Sequence, residues 1–396
     1  MNPRVVSVAK LLLVAGMMWF VFTLIDFEDR LVTLDGQAVV AEQVVEIVGD
    51  WRVDPLRIVQ DGAEREQPAS VALPDGKQLD VRPGFLSYLR NLDLVWFALG
   101  AICFFVTVLL AGTRWWWLLR VNGTNVRLIE ALRFTWIGVF FNTVFPGSTG
   151  GDVVKALYIM KRCPGQRVQT LVSVIVDRIL GLGSLALLGA VCVLFALDRF
   201  PTIAIGIWCV IAGVGLVGVV SFSRRLRELV RLSWLLNRIP GKLKASLQMV
   251  DKAIYFYRDQ RLVIGLSLLL GMLNHVLSVF AVVCLGMAIG VGMPAFEYFV
   301  LVPVINIASA VPIAPNGWGV GELLYGYLFA EHGAQHLVAV SDAASAMRTR
   351  GVALSILYRT VLTAFSCLAG LLVLFEKDRV TKDDVDREVA REQGES

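Results

Sequence analysis

From Leu94 to Thr113 twenty successive residues carry no charge, and comparable uncharged apolar runs recur along the chain. About 20 such residues are what a helix needs to cross the hydrocarbon core of a bilayer. The chain is 56% hydrophobic and 18% charged, with a mean hydropathy of +0.67. A soluble protein carries about a quarter charged residues. These features exclude an ordinary soluble domain and point to a polytopic α-helical membrane protein. Spans are expected near Val5–Ile25, Leu94–Leu119, Thr170–Leu197, Ile203–Phe222, Leu262–Ile289 and Val352–Phe375.

Polar content is confined to a few segments. Residues 1–25 have a basic start and an apolar run without a small-x-small cleavage site, which reads as an uncleaved anchor. Residues 26–92 hold "RIVQDG" and "ASVALPDGKQLDVRPG", in which apolar and polar residues alternate around Asp-Gly pairs. That pattern predicts a small β-rich insert built from hairpins, an accessory to the membrane part. Residues 93–376 form the transmembrane domain, interrupted by a basic connection at 223–261, and 377–396 form a charged tail. Lys and Arg excess marks cytoplasmic loops. It places the N-terminus, the basic connection and the tail inside the cell (inner) membrane, and the 26–92 insert outside. Arg114 and Lys155 are counted among the cytoplasmic basic groups in this reading, and Trp115, Trp116 and Trp117 as an interfacial aromatic belt.

Two segments break the apolar pattern. "FNTVFPGSTGGDVVKA" runs from Phe141 into Pro146, three glycines and Asp152, and "VPIAPNGWGVGELLY" contains two prolines, three glycines and Glu322. Freed backbone groups find no partner in hydrocarbon, so such breaks are tolerated only where protein or a water-filled cavity covers them. The loop charges return each segment to the face it entered, one from inside and one from outside. The following spans, "VSVIVDRILGL" and "ALSILYRTVL", align Arg178 with Arg359. The expected fold is therefore an all-α polytopic membrane protein with two opposed re-entrant hairpins in an inverted repeat, plus the β-rich extracytoplasmic insert. Substrate sites of inverted repeats lie near the midplane, between interrupted helices.

The candidate substrate-binding residues follow from the two breaks: Asn142, Pro146, Ser148, Gly150, Gly151 and Asp152 in the first, Asn316, Gly319, Gly321 and Glu322 in the second. Half-helix N-termini offer free N–H donors and partial positive charge to phosphate or carboxylate, and glycine permits close approach. Glycine-packed helix crossings explain the same residues without a ligand. Asp177, Arg178 and Arg359 lie in or near the spans, where a charge costs at least ~2.5 kcal/mol and normally has a partner. For Arg178 that partner is Asp152, Glu322 or a lipid phosphate, and a purely structural ion pair is the competing account. Asn274 and His275, at mid-span, bind substrate or merely cross-link helices. The basic connection can lie on an anionic leaflet. Three histidines without HExxH and six cysteines without CxxC give no metal site, no cofactor motif is present, and no nucleic-acid module is seen.

"NTVFPGSTGGDVVKALYIMKR", "VSVIVDRILGL" and "PIAPNGWGVGELLY" together resemble the membrane domain of lysyl-phosphatidylglycerol synthase/flippase proteins and the wider flippase-like family. The resemblance covers about 94–375 and implies a lipid-translocating membrane domain. It singles out Pro146, Gly150, Gly151, Asp152, Asp177, Arg178, Gly319, Gly321 and Glu322. No lysyltransferase domain follows Phe375, so an enzyme is not expected. The leading expectation is a flippase moving a polar-headed, phospho- or polyprenyl-linked lipid, with membrane lipids and a lipid-modifying or glycosyltransferase protein as partners. The alternative is a membrane enzyme or accessory subunit of lipid-linked glycan or phospholipid headgroup modification, with Asp152 and Glu322 as acid/base groups.

Overall fold

The Asp-Gly pairs of the insert become hairpin turns. Asp61 and Gly62 take positive φ (52° and 80°) between strands β3, Leu56–Gln60, and β4, Ala63–Gln67, the conformation a two-residue primed turn requires. Strands β1, Asp29–Asp35, β2, Ala38–Val48, β5, Ser70–Ala72, and β6, Gln78–Arg82, complete a six-stranded antiparallel sheet of order β4-β3-β2-β1-β6-β5. Leu31, Val45, Ile47, Leu56, Ile58 and Val81 form one buried cluster on it. Asp29, also buried, accepts hydrogen bonds from Ile47 N (2.9 Å), Ser87 Oγ (2.8 Å) and Gly84 N (2.7 Å). One carboxylate so ties β2 to the short helix α1, Phe85–Arg90.

The computed structural model describes residues 26–35, 38–144, 150–163, 165–222, 260–309, 318–337 and 342–374, with positions 16, 19, 20, 22, 23 and 257. Most of the N-terminal span, nearly all of the basic connection and the charged tail lie outside these residues. Among the described residues four helices are long and apolar enough to cross a membrane: α2, Leu94–Val121; α5, Arg167–Leu194; α7, Arg261–Ile289; and α10, Ala343–Leu374. The protein is therefore a helical membrane protein. The span expected at 203–222 falls on helix α6, Pro201–Phe222. In their most apolar windows α5 is 56% buried and α2 28%, so α5 is the more enclosed and α2 leaves more surface for lipid.

The two broken segments fold as pairs of short helices. The first pair is α3, Leu128–Val144, and α4, Gly150–Arg162; the second is α8, Ala295–Ser309, and α9, Val320–Gly333. They contain 17, 13, 15 and 14 residues. At 1.5 Å per residue each reaches roughly 20–26 Å, short of the ~30 Å hydrocarbon core. Within each pair the helices pack on one another.

By contacts the chain forms two units, residues 1–103 with 279–362, and 104–278 with 363–396. The insert belongs to the first and is tied to its helices. Arg350 of α10, buried, donates from Nε to the Tyr88 hydroxyl (3.2 Å) and from Nη1 to Val291 O (3.0 Å), and it stands over the Trp51 ring at 5.1 Å. Gly290 ends α7 with φ +69°, and a Cβ there would lie 2.9 Å from Arg52 Nε and 3.0 Å from the Trp51 ring. The insert is thus fitted around α7 and α10, more than the accessory that its turn-rich sequence suggests.

Candidate functional site

In the second unit the start of α4 is pressed against α3. A Cβ on Gly151 would lie 1.9 Å from Gly138 O, and Gly151 N donates to Asn142 Oδ1 (2.8 Å). Asn142 therefore caps the helix across the break and satisfies one of its free N–H groups. That contact brings Asp152, the third residue of α4, to α5. Its carboxylate pairs with Arg178 Nε and, at 2.9 Å, with Lys155 Nζ.

Lys155 carries the contact onward. Its Nζ lies 3.6 Å from Asp177 Oδ2 and 4.6 Å from the Trp115 ring centroid. Asp177 Oδ1 accepts from Arg114 Nε (2.9 Å), and the Asp177 carbonyl accepts from Arg114 Nη2 (3.2 Å). The result is a line of alternating charge, Arg114–Asp177–Lys155–Asp152–Arg178. Arg114, Lys155 and Asp177 are buried, while the Arg178 side chain is 36% exposed. Arg114 Nη1 is buried and has no hydrogen-bond partner among the described residues. It packs where Gly271 of α7 leaves room, 2.9 Å from the position a Cβ would take. His275 Nε2 is 3.0 Å from Gly181 O, a helix cross-link, and the buried Asn274 Oδ1 has no partner among the described residues.

The first unit repeats the construction with different parts. Gly319, φ +83°, stands before α9, and its N–H donates to Glu322 Oε2 (2.6 Å). Glu322, the third residue of α9, also accepts from Ser355 Oγ (3.3 Å) and pairs with Arg359 Nε. Gly321 makes this possible, because a Cβ there would lie 2.2 Å from Arg359 Nη2. Arg359 stands over the Trp318 ring at 5.0 Å. Glu322 is 0% exposed and Arg359 6%.

The predicted residues thus fall into two groups. Asn142, Gly150, Gly151, Asp152, Asp177 and Arg178 come together in one unit, with Asn274 and His275 on a neighbouring helix of that unit; Gly319, Gly321, Glu322 and Arg359 come together in the other. Pro146, Ser148 and Asn316 lie outside the described residues. Two expectations change. Arg114 and Lys155 are buried ion-pair partners instead of loop charges, because each has a carboxylate within reach that offsets its desolvation. Trp115 is fully buried and donates Nε1 to Ser173 Oγ (3.2 Å), instead of facing an interface. Signals for both existed: Arg114 sits inside the predicted span, and Lys155 is three residues from Asp152, on the same helix face.

A family profile described as lysylphosphatidylglycerol synthase TM region matches residues 79–370. The chain belongs to the lysylphosphatidylglycerol synthase transmembrane-region family. Both broken helix pairs and both ion-pair sites fall inside the matched residues of this family. A UPF0104 membrane protein from Pyrococcus horikoshii is 24% identical over 280 residues, 65% of this chain and 83% of the relative. No solved structure matches the chain.

Proposed function

We propose that the protein carries a polar-headed lipid, phospholipid or polyprenyl-linked, between the leaflets of the inner membrane. The observation that carries this reading is the buried charge line that reaches the partly exposed Arg178. An anionic headgroup oxygen reaching Arg178 meets a cation already held by Asp152. Exchanging one anionic partner for another conserves the charge-assisted hydrogen bonds, so the headgroup need not enter as an isolated charge at the ~2.5 kcal/mol or more that hydrocarbon exacts. Lys155 bridges both carboxylates and can follow the exchange, and the N-terminus of α4 adds partial positive charge.

In this reading α3–α4 and α8–α9 are re-entrant hairpins of opposite orientation in an inverted repeat. The N-terminus is cytoplasmic, the 26–92 insert is outside, and the acyl chains stay in lipid while the headgroup passes. The protein is then a transporter and not an enzyme, and movement is passive or ion-coupled.

The test uses purified protein in vesicles of mixed phosphatidylglycerol and phosphatidylcholine with a trace of headgroup-labelled phosphatidylglycerol. A membrane-impermeant quencher should bleach the protected inner fraction faster than in protein-free vesicles, with the mass of the lipid unchanged. A covalently altered lipid would support the enzyme reading, and no added movement of phosphatidylglycerol or of a labelled polyprenyl phosphate would overturn the transporter.

A further inference from the structure

Beside the Glu322 pair lies a cavity of about 200 Å³, lined by Phe20, Glu322, Leu323, Gly326, Tyr327, Arg348 and Val352. We infer that this cavity holds an anionic phospholipid, its phosphate on Arg348 and an acyl chain along Phe20, Leu323 and Tyr327. The inference concerns retention of a lipid and does not rest on translocation.

Charge comes first. Glu322 lines the cavity, but its carboxylate is engaged by Arg359, Ser355 and Gly319 N, so it does not neutralise Arg348. Arg348 has no hydrogen bond or salt bridge to any described residue. A half-buried guanidinium with no anionic partner among the described residues is costly in apolar surroundings, and its planar fork suits phosphate. Room for it is built into the chain, because a Cβ at Gly326 would come 3.3 Å from Arg348 Cγ and 3.0 Å from Val352 Cγ2.

The walls select a lipid over a free anion. Phe20 is 52% exposed and Tyr327 56%, so the cavity opens between two large apolar rings on the outer surface of the unit. Its depth along the helices also fits. Arg348 is two residues from Arg350, which contacts Tyr88 of the insert, and Phe20 precedes the insert by only a few residues. Arg348 therefore belongs to the insert-side end of α10, a place from which arginine reaches headgroup phosphates, and Phe20 is close to the insert in sequence.

Native mass spectrometry of the full chain, released from mixed phosphatidylglycerol and phosphatidylcholine, provides the test. The wild type should retain phosphatidylglycerol about tenfold over phosphatidylcholine, and Arg348→Gln should lose that preference. Arg348→Lys should keep part of it. A phosphatidylglycerol bearing a photoactivatable acyl chain should cross-link to Tyr327 or its neighbours in the wild type, which keeps the inference testable if Arg348→Gln fails to fold. An unchanged preference in folded Arg348→Gln, cross-links confined to other helices, or displacement of the lipid by millimolar inorganic phosphate would each overturn it. Loss of preference with translocation intact would support the site independently of the transporter reading.

Discussion

The Asp152 and Glu322 sites share one plan and differ in finish. In each, the third residue of a short helix is a carboxylate, a glycine before it permits a close contact, and an arginine of the next long helix closes the pair. Around Glu322 the groups are buried: the carboxylate also caps its own helix, the arginine stacks on Trp318, and both side chains are less than a tenth exposed. Around Asp152 the pair is extended by Lys155, Asp177 and Arg114 into a line of five charged groups that includes a partly exposed arginine. A buried pair holds helices together, whereas a partly exposed line of charges can change partners. On the proposed function, the difference fits a structural pair, or latch, in the first unit and a lipid-meeting working site in the second.

The largest effect should come from breaking the latch. Glu322→Gln removes the carboxylate that Arg359 pairs with, and loss of one partner of a buried pair costs about 3–5 kcal/mol. A large drop in the detergent melting temperature is expected, partly restored by adding Arg359→Met, which removes the remaining charge of the pair. An unchanged melt for the single variant would show that Glu322 is no latch.

Next in size is the backbone contact that positions the working site. Even Gly151→Ala puts a Cβ against Gly138 O and Asn142, and overpacking of this kind costs about 1–3 kcal/mol. Thermal melts should fall for Ala and further for Val. Translocation per folded molecule separates packing from lipid approach: if the contact only packs helices, activity should follow the folded fraction. A variant with a normal melt would show that α3 and α4 separate at no cost.

Much of this plan was legible in the sequence. Apolar run length fixed α2, α5 and α7, and Asp-Gly pairs fixed the hairpins, because both are local rules. The matching of Arg178 with Arg359 followed from aligning two apolar spans. What was not legible is long-range: that Lys155 turns toward Asp177, that Trp115 lies under it, and that Gly151 is pressed against a backbone carbonyl of α3. Positive-inside counting treated Arg114 and Lys155 as surface charges, since it weighs residue type and loop position but not the carboxylate a fold brings opposite.

The smallest change in stability should come from the substitution that most affects function. Arg178→Lys keeps a cation beside Asp152, and a partly exposed ion pair contributes only about 0–1 kcal/mol; the melting temperature should barely move. Lysine lacks the planar fork that meets two phosphate oxygens at once, so translocation per folded molecule should drop about tenfold or more. The same substitution at Arg359 reverses the pattern. Lysine there loses the stack on Trp318 and the contact over Gly321 inside a buried site, so stability should fall while activity follows the amount of folded protein. The two arginines occupy aligned positions and carry the same charge, which makes each the control for the other. Should Arg178→Lys translocate normally per folded molecule, the open line would be a second latch and the contrast between the two sites would lose its functional meaning. Should Arg359→Lys lose translocation with an unchanged melt, the working site would belong to the Glu322 unit instead.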